Sequence, residues 1–177
     1  MPNLSSLPKA SRRLRYVVML LWLLTFGVAV LRWCVGNPAA WLPPTLAAKV
    51  GEGALSFGVR LGGFCLELLP LAAAGYAMLA LLKICRAYGR NEVFMADTGV
   101  HYRRFGRGLL LLGIANAVYT TLLSMLLSAS AGGGQLAISL GLSSADLYLL
   151  IIGVTVHLLG SVMDEAYRIH DENTQIV

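Results

Sequence analysis

The chain is predicted to be an all-α, polytopic membrane protein whose four transmembrane helices form a small bundle. Three observations predict this. First, 57% of its 177 residues are hydrophobic and only 13% are charged, where a soluble domain carries roughly 25% charged residues. Mean hydropathy is accordingly high, at +0.70. Second, four apolar runs of about helix length, at roughly 15–35, 62–82, 108–130 and 147–163, alternate with polar or Gly/Pro-containing connections. An apolar helix of about 20 residues crosses the roughly 30 Å of hydrocarbon in a bilayer. Third, the cationic residues sit in alternate connections, so the chain has a sided topology.

The first run begins after Lys9, Arg12, Arg13 and Arg15. Tyr16–Leu31 is uncharged, and Arg32 and Trp33 follow. A basic start followed by an apolar run resembles a signal peptide. This run is long for one, and no small-x-small cleavage site follows it, so an uncleaved first span is expected. Arg32 is expected to snorkel to the outer headgroups with Trp33 anchoring beside it.

Residues 36–61 form the first outer loop. Pro38, Pro43 and Pro44 break any helix at its start. Leu46, Val50, Ala54 and Phe57 then recur at helical spacing, a pattern suited to an interfacial helix over 45–60, although Gly51, Gly53 and Gly58 weaken it. The second span, 62–82, is thinned by Ala72, Ala73, Ala74, Gly75, Ala77 and Ala80. Small residues let helix backbones approach closely in lipid, where no hydrophobic drive brings helices together. Pro70 predicts a mild kink.

Residues 83–107 are the longest polar interruption and carry Lys83, Arg86, Arg90, Arg103, Arg104 and Arg107. The second helix is expected to continue past the bilayer to about Arg90 and the third to begin near Val100. Residues 91–99 are expected to form a turn between them, with Asp97 or Thr98 as the cap of the incoming third helix. In the third span, 108–130, Gly113, Ala117, Thr120 and Ser124 share one face with Asn116 at its edge. Residues 131–146 form the second outer loop. In the fourth span, 147–163, Gly153, His157 and Gly160 fall within one narrow arc that continues to Asp164. The tail, 164–177, is rich in acid.

Eleven of the 14 Lys/Arg lie before the first span, in 83–107 and in the tail; Arg32, Lys49 and Arg60 make up the rest. The positive-inside rule therefore places both termini and the 83–107 loop of this multi-pass protein in the cytoplasm. The net charge of +5 is explained by this topology, and no direct contact with nucleic acid is expected.

Polar groups within the spans are functional candidates because ionised side chains are costly in hydrocarbon. Glu67 either reaches the outer interface or pairs with Arg60, or it serves as a proton or cation site. His157 either hydrogen-bonds a neighbouring helix, at Asn116 or Thr120, or relays protons. Asn116 is read as interhelical glue. Cys34, Cys65 and Cys85 lack metal-ligand spacing and are read as apolar fillers. No phosphate-cradling loop, zinc-protease motif or nucleophile elbow is present. Catalytic residues, cofactors and metals are therefore not assigned, and the chain is read as a non-enzyme.

Two stretches carry a resemblance. One is Arg86-Ala-Tyr-Gly-Arg90-Asn91-Glu92-Val93-Phe94, followed by Tyr102-Arg103-Arg104-Phe105-Gly106. The other is the tail from Glu165 to Val177, with its acidic-Asn element and hydrophobic finish. Both resemble the small bacterial four-helix membrane proteins grouped as domain of unknown function number 2975. Asn91, where that family usually has glycine, and the displaced Gln175 depart from its pattern. The resemblance implies four spans, no assigned enzymatic activity, and genes that often neighbour one for a small helix-turn-helix regulator.

The functional expectation is a regulatory or interaction protein. Its cytoplasmic face, built from Arg86, Arg90, Phe94, Arg103, Arg104, Asp171 and Glu172, binds a partner such as a helix-turn-helix transcription regulator. Anionic lipid headgroups compete as an explanation for the same arginines. The alternative is a small transporter or channel subunit working through Glu67, Asn116 and His157. Homo-oligomerisation is left open.

Overall fold

A computed structural model of the chain describes residues 7–35, 55–89, 98–130 and 141–174. These form four α-helices: α1 (Leu7–Cys34), α2 (Phe57–Gly89), α3 (Thr98–Ser130) and α4 (Ser144–Thr174). All four are long and apolar enough to cross a membrane. Helices suit this composition because lipid offers no partner for backbone N–H and C=O groups, so those groups must pair within the segment. At 1.5 Å per residue, the 33 residues of α2 and of α3 extend about 50 Å. Both therefore project well beyond the roughly 30 Å hydrocarbon layer.

Each helix packs chiefly against its neighbours in sequence. Points of close approach fix the antiparallel registers. Between α1 and α2, the Trp33 ring fills the space over Gly63 and Trp22 lies against Gly75. Between α2 and α3, Leu126 faces Gly62, and a Cβ added to Gly108 would lie 2.6 Å from Ala77 Cα. Between α3 and α4, Gly106 meets the backbone of Gly153 and His157, and Gly113 meets Asp146 and Leu150. The alanine-rich face of the second span is used as expected: Ala77 and Ala80 are buried. Pro70 lies inside the continuous helix α2.

The apolar core sits at the end of the molecule away from residues 83–107. Trp33, Leu123 and Leu127 form it, with Val59, Phe64, Tyr119 and Leu126 packed around them. At that same end α4 begins in a reciprocal cap: Ser143 N and Oγ donate to Asp146 Oδ2 at 3.0 and 2.8 Å. Asp146 N lies 3.3 Å from Ser143 Oγ. Such a box satisfies the unpaired donors at a helix start. Residues 36–54 lie outside the described residues, and with them most of the expected interfacial helix. Phe57 and Arg60 belong to α2.

Candidate functional site

Two polar constellations stand at opposite ends of the molecule. At the end away from residues 83–107, Glu67 of α2 accepts from Arg32 Nη2 through Oε1 and from Trp33 Nε1 through Oε2. Arg32 and Glu67 form an ion pair with side chains 27% and 12% exposed. This corrects three expectations. Glu67 does not use Arg60, Arg32 does not snorkel alone to the headgroups, and Trp33 is a buried core residue, 3% exposed, not an interfacial anchor. The physical reason is Gly63. Its missing side chain opens a slot on α2 that the Trp33 ring occupies, and the two donors at 32 and 33 are thereby aimed at one carboxylate. Both of its oxygens accept a hydrogen bond, and because the acceptor is ionised both bonds are charge-assisted, the stronger kind.

The other constellation is built where α2 ends, α3 begins and α4 finishes. Gly99, Gly106 and Gly113 recur every seven residues along α3, as Gly153 and Gly160 do along α4. A seven-residue repeat keeps one face on a helix–helix seam. A Cβ on Gly160 would lie 2.8 Å from Gly99 O and from Arg103 N, and one on Gly106 would lie 2.7 Å from Gly153 O. The backbones are therefore in direct contact. At the basic end of this seam Arg103 pairs with Asp164. His157 Nδ1 lies 3.3 Å from the carbonyl oxygen of Arg103. A carbonyl can only accept, so Nδ1 carries the proton in this contact. The expected partners of His157, Asn116 and Thr120, lie too far along α3. Thr120 Oγ1 instead donates to Asn116 O and to Gly141 O, both at 2.8 Å, and holds the approach to α4 against α3.

Around this seam the basic end presents its charge outward. Lys83, Arg86, Arg104 and Arg107 are exposed, and none forms an ion pair among the described residues. The Tyr88 and Tyr102 hydroxyls, 2.8 Å apart, tie α2 to α3 beneath them. α4 continues past Asp164 as a polar helix with an exposed Glu165–Arg168 pair at 2.6 Å and an exposed Asp171. Of the residues expected to form a partner surface, Arg86, Arg104 and Asp171 are exposed, whereas Arg103 is half-buried against α4. Arg90, Phe94 and the Glu172 side chain lie outside the described residues.

Glu67, Asn116 and His157 are not brought together. Glu67 is level with Tyr119 and His157 with Gly106, thirteen residues apart on α3, or about 20 Å. Among the described residues no group of three or more His, Cys, Asp or Glu is placed to hold a metal. Sequence reasoning missed the glycine seam on α3. Its seven-residue spacing was the available signal, placed within a stretch dominated by arginine.

A family model described as protein of unknown function (DUF2975) matches residues 58–177. The match takes in α2, α3 and α4, and includes both stretches that carried the resemblance. No curated protein and no solved structure matches the chain.

Proposed function

We propose, from the premise that this chain belongs to the DUF2975 family, that it is a non-enzymatic regulatory or interaction protein. In this reading it spans the inner membrane with both termini in the cytoplasm and engages a soluble partner through its basic end. A helix-turn-helix transcription regulator is the partner the family's gene neighbourhood suggests. The observation that carries the reading is the arrangement of charge at that end. Lys83, Arg86, Arg104 and Arg107 are exposed on helices long enough to leave the bilayer, while Arg103 turns inward and ties the polar end of α4 to the same surface. Arginine is enriched among the residues that dominate protein–protein binding.

The transporter reading draws less support. Glu67 is engaged by two donors, His157 by a backbone carbonyl, and the two stand about 20 Å apart with no shared site.

The test is co-purification from membranes in mild detergent. Arg86→Ala/Arg104→Ala is expected to lower partner recovery at least tenfold, because each lost arginine contact at a binding surface costs on the order of 1 kcal/mol or more. Membrane insertion stays normal, because nine of the eleven Lys/Arg on that side remain. Arg103→Ala is a separate case: it breaks the Asp164 pair and loosens α4. Unchanged recovery of every partner from Arg86→Ala/Arg104→Ala would leave these arginines as topology determinants only.

A further inference from the structure

A lipid-facing groove of about 520 Å³ runs between α1 and α2, lined by Met19, Trp22 and Leu23 on one side and Gly75, Tyr76, Leu79 and Leu82 on the other. Nearly all of its wall is apolar. Trp22 Nε1 is buried against Gly75 and has no hydrogen-bond partner among the described residues.

The register fixed by Trp22 on Gly75 and Trp33 on Gly63 sets Arg15 level with Leu82. Helical spacing then continues the groove into charge. Arg15 lies four residues before Met19 and seven before Trp22, on the same face. Lys83 and Arg86 lie four and seven residues after Leu79. Residues three, four and seven apart share a helix face. The groove thus opens at the basic end onto three cations. Trp22 stands about 10 Å further into the bilayer, from seven residues of helical rise.

We propose that this groove binds one anionic phospholipid of the leaflet at the basic end. An acyl chain occupies the apolar groove and the headgroup phosphate sits among Arg15, Lys83 and Arg86. The two features have one ligand chemistry in common: an anion with a hydrocarbon tail below it.

The experiment uses the full chain in nanodiscs of equal phosphatidylglycerol and phosphatidylcholine, released into native mass spectrometry to count and identify the retained lipid. One phosphatidylglycerol is expected, in clear preference to phosphatidylcholine. Lys83→Gln/Arg86→Gln lowers that preference by about fivefold per cation removed, the scale of one basic residue at an anionic surface. Ala72→Phe, placed in the groove wall, abolishes retention while the far-ultraviolet circular dichroism stays unchanged. Arg104→Gln/Arg107→Gln, on α3, changes none of these. Equal retention of the two lipids by the unaltered chain would overturn the proposal. So would a loss of preference from the α3 changes as large as that from the α2 changes, which would reduce the effect to general surface charge.

Discussion

Gly106→Leu is expected to separate α3 from α4 and to destabilise the folded protein by about 3 kcal/mol, the upper end for overpacking a close contact. A Cβ at this position would lie 2.6 Å from His157 N, 2.7 Å from Gly153 O and 2.9 Å from His157 Cα. All three are backbone atoms, so no side chain can swing aside and the helices must move. Small residues at such contacts are what allow association in lipid, where packing and interhelical hydrogen bonds take the place of the hydrophobic drive. Two comparisons give the number meaning. Gly27→Leu on α1, with open space around the glycine, should shift stability by less than about 1 kcal/mol. His157→Ala removes a single hydrogen bond and should cost about 1 kcal/mol. Reversible unfolding in mixed micelles, followed by circular dichroism, reads all three. A Gly106→Leu protein as stable as Gly27→Leu would mean that the α3–α4 seam is not closed as described.

Glu67→Ala is expected to cost about 3 kcal/mol, the scale for removing one partner of a buried ion pair. It leaves the Arg32 guanidinium without its counter-charge and the Trp33 indole N–H without its acceptor. Arg32→Ala should cost less, because Glu67 keeps the Trp33 donor. The double change Arg32→Leu/Glu67→Leu should recover most of the loss, since a buried pair replaced by apolar residues is often neutral or stabilising. A double-mutant cycle isolates the coupling. Purely additive effects of the two single changes would show that the pair does not form. A Glu67→Gln protein that folds normally yet loses an ion flux would favour the transporter reading over this structural one.

The spans were legible because apolar length is a one-dimensional signal, and four runs separated by polar or Gly/Pro-containing segments leave little choice. The arc of Gly153, His157 and Gly160 was legible for a similar reason: residues three and four apart must share a face. What the sequence concealed is pairing across helices. Arg32 and Glu67 are 35 residues apart, and each alone is compatible with reaching the interface. Only the Trp33 ring over Gly63 brings them together. Gly99 and Gly106 were obscured by their surroundings, since a stretch rich in arginine reads first as a connection between spans. Arg103 and Arg104 could not be told apart, because one residue is a rotation of about 100° on a helix and only the position of α4 decides which points inward. The spacing puts His157 on the face that meets α3, and its partner there is Arg103, further toward the basic end than Asn116 or Thr120. α4 extends past the expected end of its span, and its contacts with α3 run further toward the basic end.

The proposed function requires the basic end to face the cytoplasm. Reporter fusions at Asn91, at Gly133 and after Val177 measure it most directly. With eleven of the 14 Lys/Arg on one side, the positive-inside rule predicts a cytoplasmic signal at Asn91, an external signal at Gly133 and a cytoplasmic signal after Val177. An external signal at Asn91 would put Lys83, Arg86, Arg104 and Arg107 out of reach of any cytoplasmic partner and would contradict the proposed function.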